Sequence, residues 1–147
     1  LKHEEIMHIT HNGSVPSTRS SDRYFSGVVI AEQIVAAPSP ARLKAARVTF
    51  LPGARTAWHH HPYGQTLFVT SGTGLVQVYG EPAQLIKPGD TVWIGPGEKH
   101  WHGATATTAM THIAMHEHQD GVYATWQEHV TDEDYAAANA SSMNAET

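Results

Sequence analysis

The chain has no cysteine among its 147 residues. Disulfides, zinc–thiolate sites, thiol nucleophiles and iron–sulfur clusters are excluded outright. Basic residues are equally thin: nine Lys and Arg against fourteen Asp and Glu leave a net charge of −5. No basic stripe is available to neutralise phosphates, so nucleic acid is not an expected partner. Long apolar runs are also missing, and no charged start precedes an apolar signal segment; a cytoplasmic protein without a membrane span is expected. What remains is 40% hydrophobic residues, enough for one core in a chain of one-domain size. Histidine, at twelve copies, is the unusual count.

The order of the chain predicts a β protein. Residues 1–22 read as an arm, polar from Thr10 to Asp22, and Met7 is a candidate native start. Short apolar stretches follow at 24–30, 46–51, 66–70, 74–80, 90–95 and 110–117. They are rich in Val, Ile, Thr and aromatics and are bounded by LPG, SGTG, KPGD and GPGE. At least six strands in a barrel or sandwich over 23–130 are expected, with a short Thr131-capped helix and a loose tail over 131–147.

Strand parity organises the histidines. If WHHHP is extended, His59 and His61 share one face and His60 takes the other. Gln65 follows across a turn containing Pro62 and Gly64 and can return to the same pocket. In GPGEKHWHGA, His100 and His102 share parity, as do His112, Ala114 and His116 in MTHIAMHEH. Ala46, Val48 and Phe50 share a face of ARVTF and could form an apolar wall beside a substrate.

These residues carry a resemblance to the cupins. The family pattern G-x5-H-x-H-x3-E-x6-G is met by Gly53, His59, His61, position 65 and Gly72, with Gln65 in place of Glu. The second pattern, G-x5-P-x-G-x2-H-x3-N, is met by Gly89, Gly97 and His100. Its proline is displaced to Pro96, and Ala104 replaces Asn. Strings such as PGARTAWHHHPYGQTL, PGEKHWHGA and EHVTDEDY resemble more closely the bacterial small-cupin hydroxynitrile lyases, over roughly residues 45–135. This resemblance implies an all-β cupin barrel (a double-stranded β-helix). It also implies manganese held by His59, His61, Gln65 and His100, a small-molecule cyanohydrin substrate and a homodimer or homotetramer. Iron, zinc, cobalt or nickel are the alternative ions.

Three neutral imidazoles and an amide leave a divalent ion its full charge, whereas Glu at position 65 would cancel one unit. At 4 Å one unit is worth about 4 kcal/mol at an effective dielectric near 20, so the site should favour an anionic ligand. His102, with an unperturbed pKa of about 6.5, is the candidate base. The lyases carry a histidine matching His112 but often Gln where this chain has His116, which could add a base or proton shuttle. Buried structural histidines are the alternative for these three. His3, His8, His11, His118 and His129 read as surface residues, Trp58, Trp93 and Trp101 as core or interface, and Glu98–Lys99 as an exposed ion pair. An oxygen-using cupin and a non-catalytic metal- or small-molecule-binding module compete with the lyase.

Parity makes a direct prediction. His60→Ala should retain the metal content of the wild type, while His59→Ala or His61→Ala should lose it, as read by elemental analysis of untagged protein. Equal losses in all three would contradict the strand geometry.

Overall fold

The computed structural model describes residues 7–146, with side chains through Ser142; His3 lies outside the described residues. Alternation of apolar and polar residues builds two facing sheets. In the first, β1 (Thr18–Arg19), β3 (Val29–Ala36), β4 (Leu43–Phe50), β12 (Met110–Glu117), β7 (Gln65–Gly72) and β10 (Thr91–Ile94) lie side by side in that order. The second runs β13 (Thr125–Trp126), β6 (His59–His60), β11 (His100–Ala104), β5 (Arg55–Thr56) and β2 (Phe25–Ser26). Strand β8 (Gly74–Val78) joins β11 to β9 (Gln84–Ile86).

Inward residues of the two sheets meet in one core. Leu67 and Val69 of β7 are buried while Phe68 and Thr70 are exposed, and Met110, His112 and Ala114 are the buried set of β12. Val29, Phe50, Leu67, Ile94 and Met110 belong to this apolar cluster. Strand β11 is buried on both faces. Trp101 packs against Tyr135 of the C-terminal helix, with ring centroids 5.6 Å apart, and donates to Gln77 Oε1 at 2.8 Å. His100 and His102 take the opposite parity, into the barrel.

The expected strand over 24–30 is a corner instead. Gly27, at φ 81°, separates β2 in one sheet from β3 in the other. A Cβ there would stand 2.9 Å from Ala54 Cα, so only glycine lets the chain cross so close to its neighbour. Strand β3 then runs on through Ala36, beyond the expected apolar stretch. The polar arm is also partly structured: β1 pairs with β3, and Asn12 and Ser17 bond Arg47 and Glu32.

Helix α1 spans Asp132–Glu146, and Thr131 Oγ1 accepts from Asp134 N at 3.0 Å as its N-cap. It continues through the segment expected to be loose, because Ser142 donates to Ala83 O at 3.0 Å and docks that turn on the barrel. Arg55 secures the start of the helix, donating to Val130 O at 2.7 Å and Asp132 Oδ1 at 2.9 Å. Trp58 and Trp101 are core residues, whereas Trp93 is 63% exposed on the outer face of the first sheet. The Glu98–Lys99 pair does not form: Lys99 bonds Glu128 at 2.6 Å and Glu98 accepts from Gly95 N. Turn geometry aims the two side chains at different partners. His8, His11 and His129 are exposed, and His118 is half-buried against Tyr123.

Candidate metal centre

Three short elements bring the histidines together. Strand β6 pairs with β11 at His59↔His100, and the turn after His61 returns the chain to Gln65 at the start of β7. Gly64, at φ 82°, makes that turn possible, since a Cβ would come within 2.6 Å of Ile94 O. The potential ligand atoms of His59, His61 and His100 all lie within 4.8 Å of one another, and all three residues are buried. His60 is half-buried, on the other face of its strand.

Each ring is anchored in the same way. Nδ1 of His59 donates to Ala57 O at 2.8 Å, His61 to Tyr123 O at 2.8 Å and His100 to Glu98 O at 2.9 Å. A carbonyl can only accept, so the single proton of each neutral imidazole sits on Nδ1 and Nε2 presents a lone pair. His61 Nε2 is buried without a hydrogen-bond partner among the described residues. His100 Nε2 faces Gln65 Oε1 at 3.3 Å, so two lone pairs meet with no proton between them. Gln65 Nε2 lies 3.2 Å from His116 Nδ1, which fixes the amide with its oxygen toward His100. Converging nitrogen and oxygen lone pairs in a buried, thiolate-free site fit a borderline divalent cation.

The remaining predicted residues surround this point. His102 Nδ1 and His112 Nε2 are 3.0 Å apart, and both rings are buried. Phe50 meets both edge-on, at centroid distances of 5.8 and 5.3 Å. Val48 belongs to the apolar cluster beside Phe50, and the partly buried Ala46 packs against it. His116 is half-buried and stacks on His61 at 4.8 Å. Sequence reasoning missed three aromatic residues. Trp126 stacks on His59 at 4.5 Å, Tyr24 stacks on Trp126 at 4.7 Å, and Tyr123 supplies the carbonyl under His61. The aromatic run YATW, one turn beyond the last long strand, was the sign available for Tyr123 and Trp126, and Tyr24 opens the apolar stretch at 24–30.

Burial is the largest influence on every ring. It lowers His100, His112 and His116 to about 4, and holds His59, His61 and His102 below the ordinary histidine value. Neighbouring imidazoles depress His59 and His102 further. At neutral pH the cluster is uncharged, the state that binds metal. Because these folded-state values lie below the unfolded ones, the unfolded chain takes up protons first as pH falls. The stabilisation is whole above pH 6.5 and is lost down toward pH 4. Chelator-treated protein should therefore lose unfolding temperature steadily across that window, before most carboxylates titrate. A flat or rising profile would contradict the neutral cluster.

Comparison with known proteins agrees with the fold. Residues 46–118 match the Cupin domain family. An (R)-mandelonitrile lyase of Granulicella tundricola is 54% identical over 129 residues, covering 88% of this chain and 98% of the relative. The crystal structure of a cupin-like protein from Thermotoga maritima has a TM-score of 0.79 at 38% identity, covering 90% of this chain and 97% of that one. A polyketide cyclase from Streptomyces resistomycificus shares the fold alone, with a TM-score of 0.68 at 14% identity over 88% of this chain and 91% of its own. With a histidine cluster between the sheets of its barrel, the chain belongs to the cupin family.

Proposed function

We propose that this chain is a divalent-metal-dependent hydroxynitrile lyase that cleaves or forms cyanohydrins from an aldehyde and cyanide. The carrying observation is the convergence of three carbonyl-anchored imidazoles and an amide oxygen on one buried point, in a chain 54% identical to (R)-mandelonitrile lyase. His59, His61 and His100 through Nε2, and Gln65 through Oε1, would hold the ion. Manganese is the first choice; the neutral nitrogen and oxygen set also suits iron, zinc, cobalt or nickel. When bound, such an ion supplies Lewis acidity toward a hydroxyl oxygen while leaving coordination positions open.

The protein's own residues would handle the proton. His102 Nδ1 and His112 Nε2 share one hydrogen bond, and His102 Nε2 is buried with no partner among the described residues. In the tautomer in which His102 donates its Nδ1–H to His112, that Nε2 is bare. That atom is the proposed acceptor of the cyanohydrin hydroxyl proton. As the O–H bond breaks, its electron pair forms the carbonyl, the C–CN bond breaks, and cyanide leaves with that bonding pair. His102 then returns the proton as hydrogen cyanide forms. His112 would orient the His102 ring and share its transient charge. His116, bonded to Gln65 and stacked on His61, is the proposed route for relaying a proton outward. Phe50, Val48 and Ala46 would line the apolar side of the substrate. A homodimer or homotetramer is the proposed assembly, supported by the exposed Phe68 and Trp93 on the outer face of the first sheet.

The metal-loaded protein should release cyanide from mandelonitrile without oxygen, with benzaldehyde in equal amount. Replacing His102 with Phe should lower kcat by about 10²–10⁴-fold while the metal content stays unchanged. An unaltered kcat would remove His102 as the base. Absence of cyanide, with oxygen uptake on a phenol or thiol, would favour the dioxygenase reading.

A further inference from the structure

The three anchored imidazoles share a second support. A hydrogen bond at Nδ1 fixes one point of a ring but leaves its plane free to tilt about that contact. In each case a second aromatic ring lies nearly parallel. His59 rests on Trp126 at 4.5 Å and 29°, His61 on His116 at 4.8 Å and 19°, and His100 on His102 at 5.6 Å and 22°. Two of these supporting rings are themselves histidines. Only Trp126 can neither ligate nor carry a proton in the neutral range, so its function in the site must be mechanical.

We propose that Trp126 is a positioning residue of the metal centre, its indole holding the plane of the His59 imidazole so that Nε2 faces His61 and His100. Three observations converge on this assignment. Strand β13 places Trp126 directly opposite His59 in the antiparallel register, the closest cross-strand relation available. The backbone next to this pair is tied down, with Trp58 N donating to Glu128 O at 2.9 Å and Gln127 N to Trp58 O at 2.8 Å. The indole is itself backed by Tyr24 at 4.7 Å and 18°, with Phe25 at 5.5 Å, so it cannot yield to the imidazole without moving a second layer. The same connecting segment supplies the Tyr123 carbonyl under His61. One stretch of chain beyond the last long strand thus orients two of the three histidines.

The inference rests on the metal-site half of the proposed function and is independent of the reaction. Stripped protein is titrated with Mn²⁺ by calorimetry, and the unfolding temperature of the stripped form is measured alongside. Trp126→Phe keeps a flat ring and should bind within about threefold of the wild type. Trp126→Leu keeps apolar volume without a plane, and should bind at least about tenfold more weakly, the scale on which supporting residues tune metal affinity. Rescue by Phe but not by Leu separates a ring clamp from packing alone. Equal affinities for Phe and Leu would overturn the proposal, as would wild-type affinity in both. Should the Leu variant fail to fold, Tyr24→Leu removes the outer layer and should weaken binding in the same direction; unchanged affinity there also overturns it. A wild-type protein that binds neither Mn²⁺ nor Zn²⁺, Fe²⁺, Co²⁺ or Ni²⁺ would instead refute the metal reading, and the clamp with it.

Discussion

A neutral imidazole has one proton to give, and in this protein three backbone carbonyls take it. Ala57, Tyr123 and Glu98 each accept from an Nδ1, leaving the Nε2 lone pairs of His59, His61 and His100 to face one another in a buried space. The remaining features of the site follow from that constraint. The tautomer cannot change without breaking a buried hydrogen bond, at a cost of about 1–3 kcal/mol. The rings cannot charge cheaply either, because burial opposes protonation at every one of them. Facing lone pairs are unfavourable in the isolated chain and favourable around a cation, so the site holds binding energy at the expense of stability.

Gln65 sets the electrical character of this arrangement. Its amide oxygen adds a donor without adding charge, and its nitrogen is committed to His116. A cation held there would keep both units of charge in a medium that screens poorly. Such a field favours an anion, and cyanide leaving a carbonyl carbon is one. Phe50, buried edge-on against His102 and His112, puts apolar surface on one side of the same space, where weak screening strengthens the field.

The parts of this site that obey the two-residue period of a strand were legible in the sequence. His59 and His61, His100 and His102, and His112 and His116 are pairs whose parity alone puts both members on one face. Gln65 was legible because the turn before it is short and contains Gly64. Contacts set by distant segments were not. Trp126 reaches His59 from a two-residue strand with only the short run YATW to announce it, and Tyr123 acts through its backbone, which no side-chain pattern can reveal. Lys99 found Glu128 rather than adjacent Glu98, since a tight turn points neighbours apart. The corner at Gly27 was hidden for a related reason: an unbroken apolar stretch reads as one strand, while the steric demand of Ala54 divides it between two sheets. The helix outran its expected end because docking of Ser142 on the barrel outweighs the weak helix preference of its Ser and Asn residues.

Long-range ¹H–¹⁵N correlation of the histidine side chains in metal-free protein at neutral pH tests the central claim most directly. His59, His61 and His100 should each show a protonated Nδ1 and a bare Nε2, and those three Nε2 signals should shift together when Zn²⁺ is added. Protonated Nε2 atoms or charged rings at these positions, or an ion that leaves them undisturbed, would contradict it.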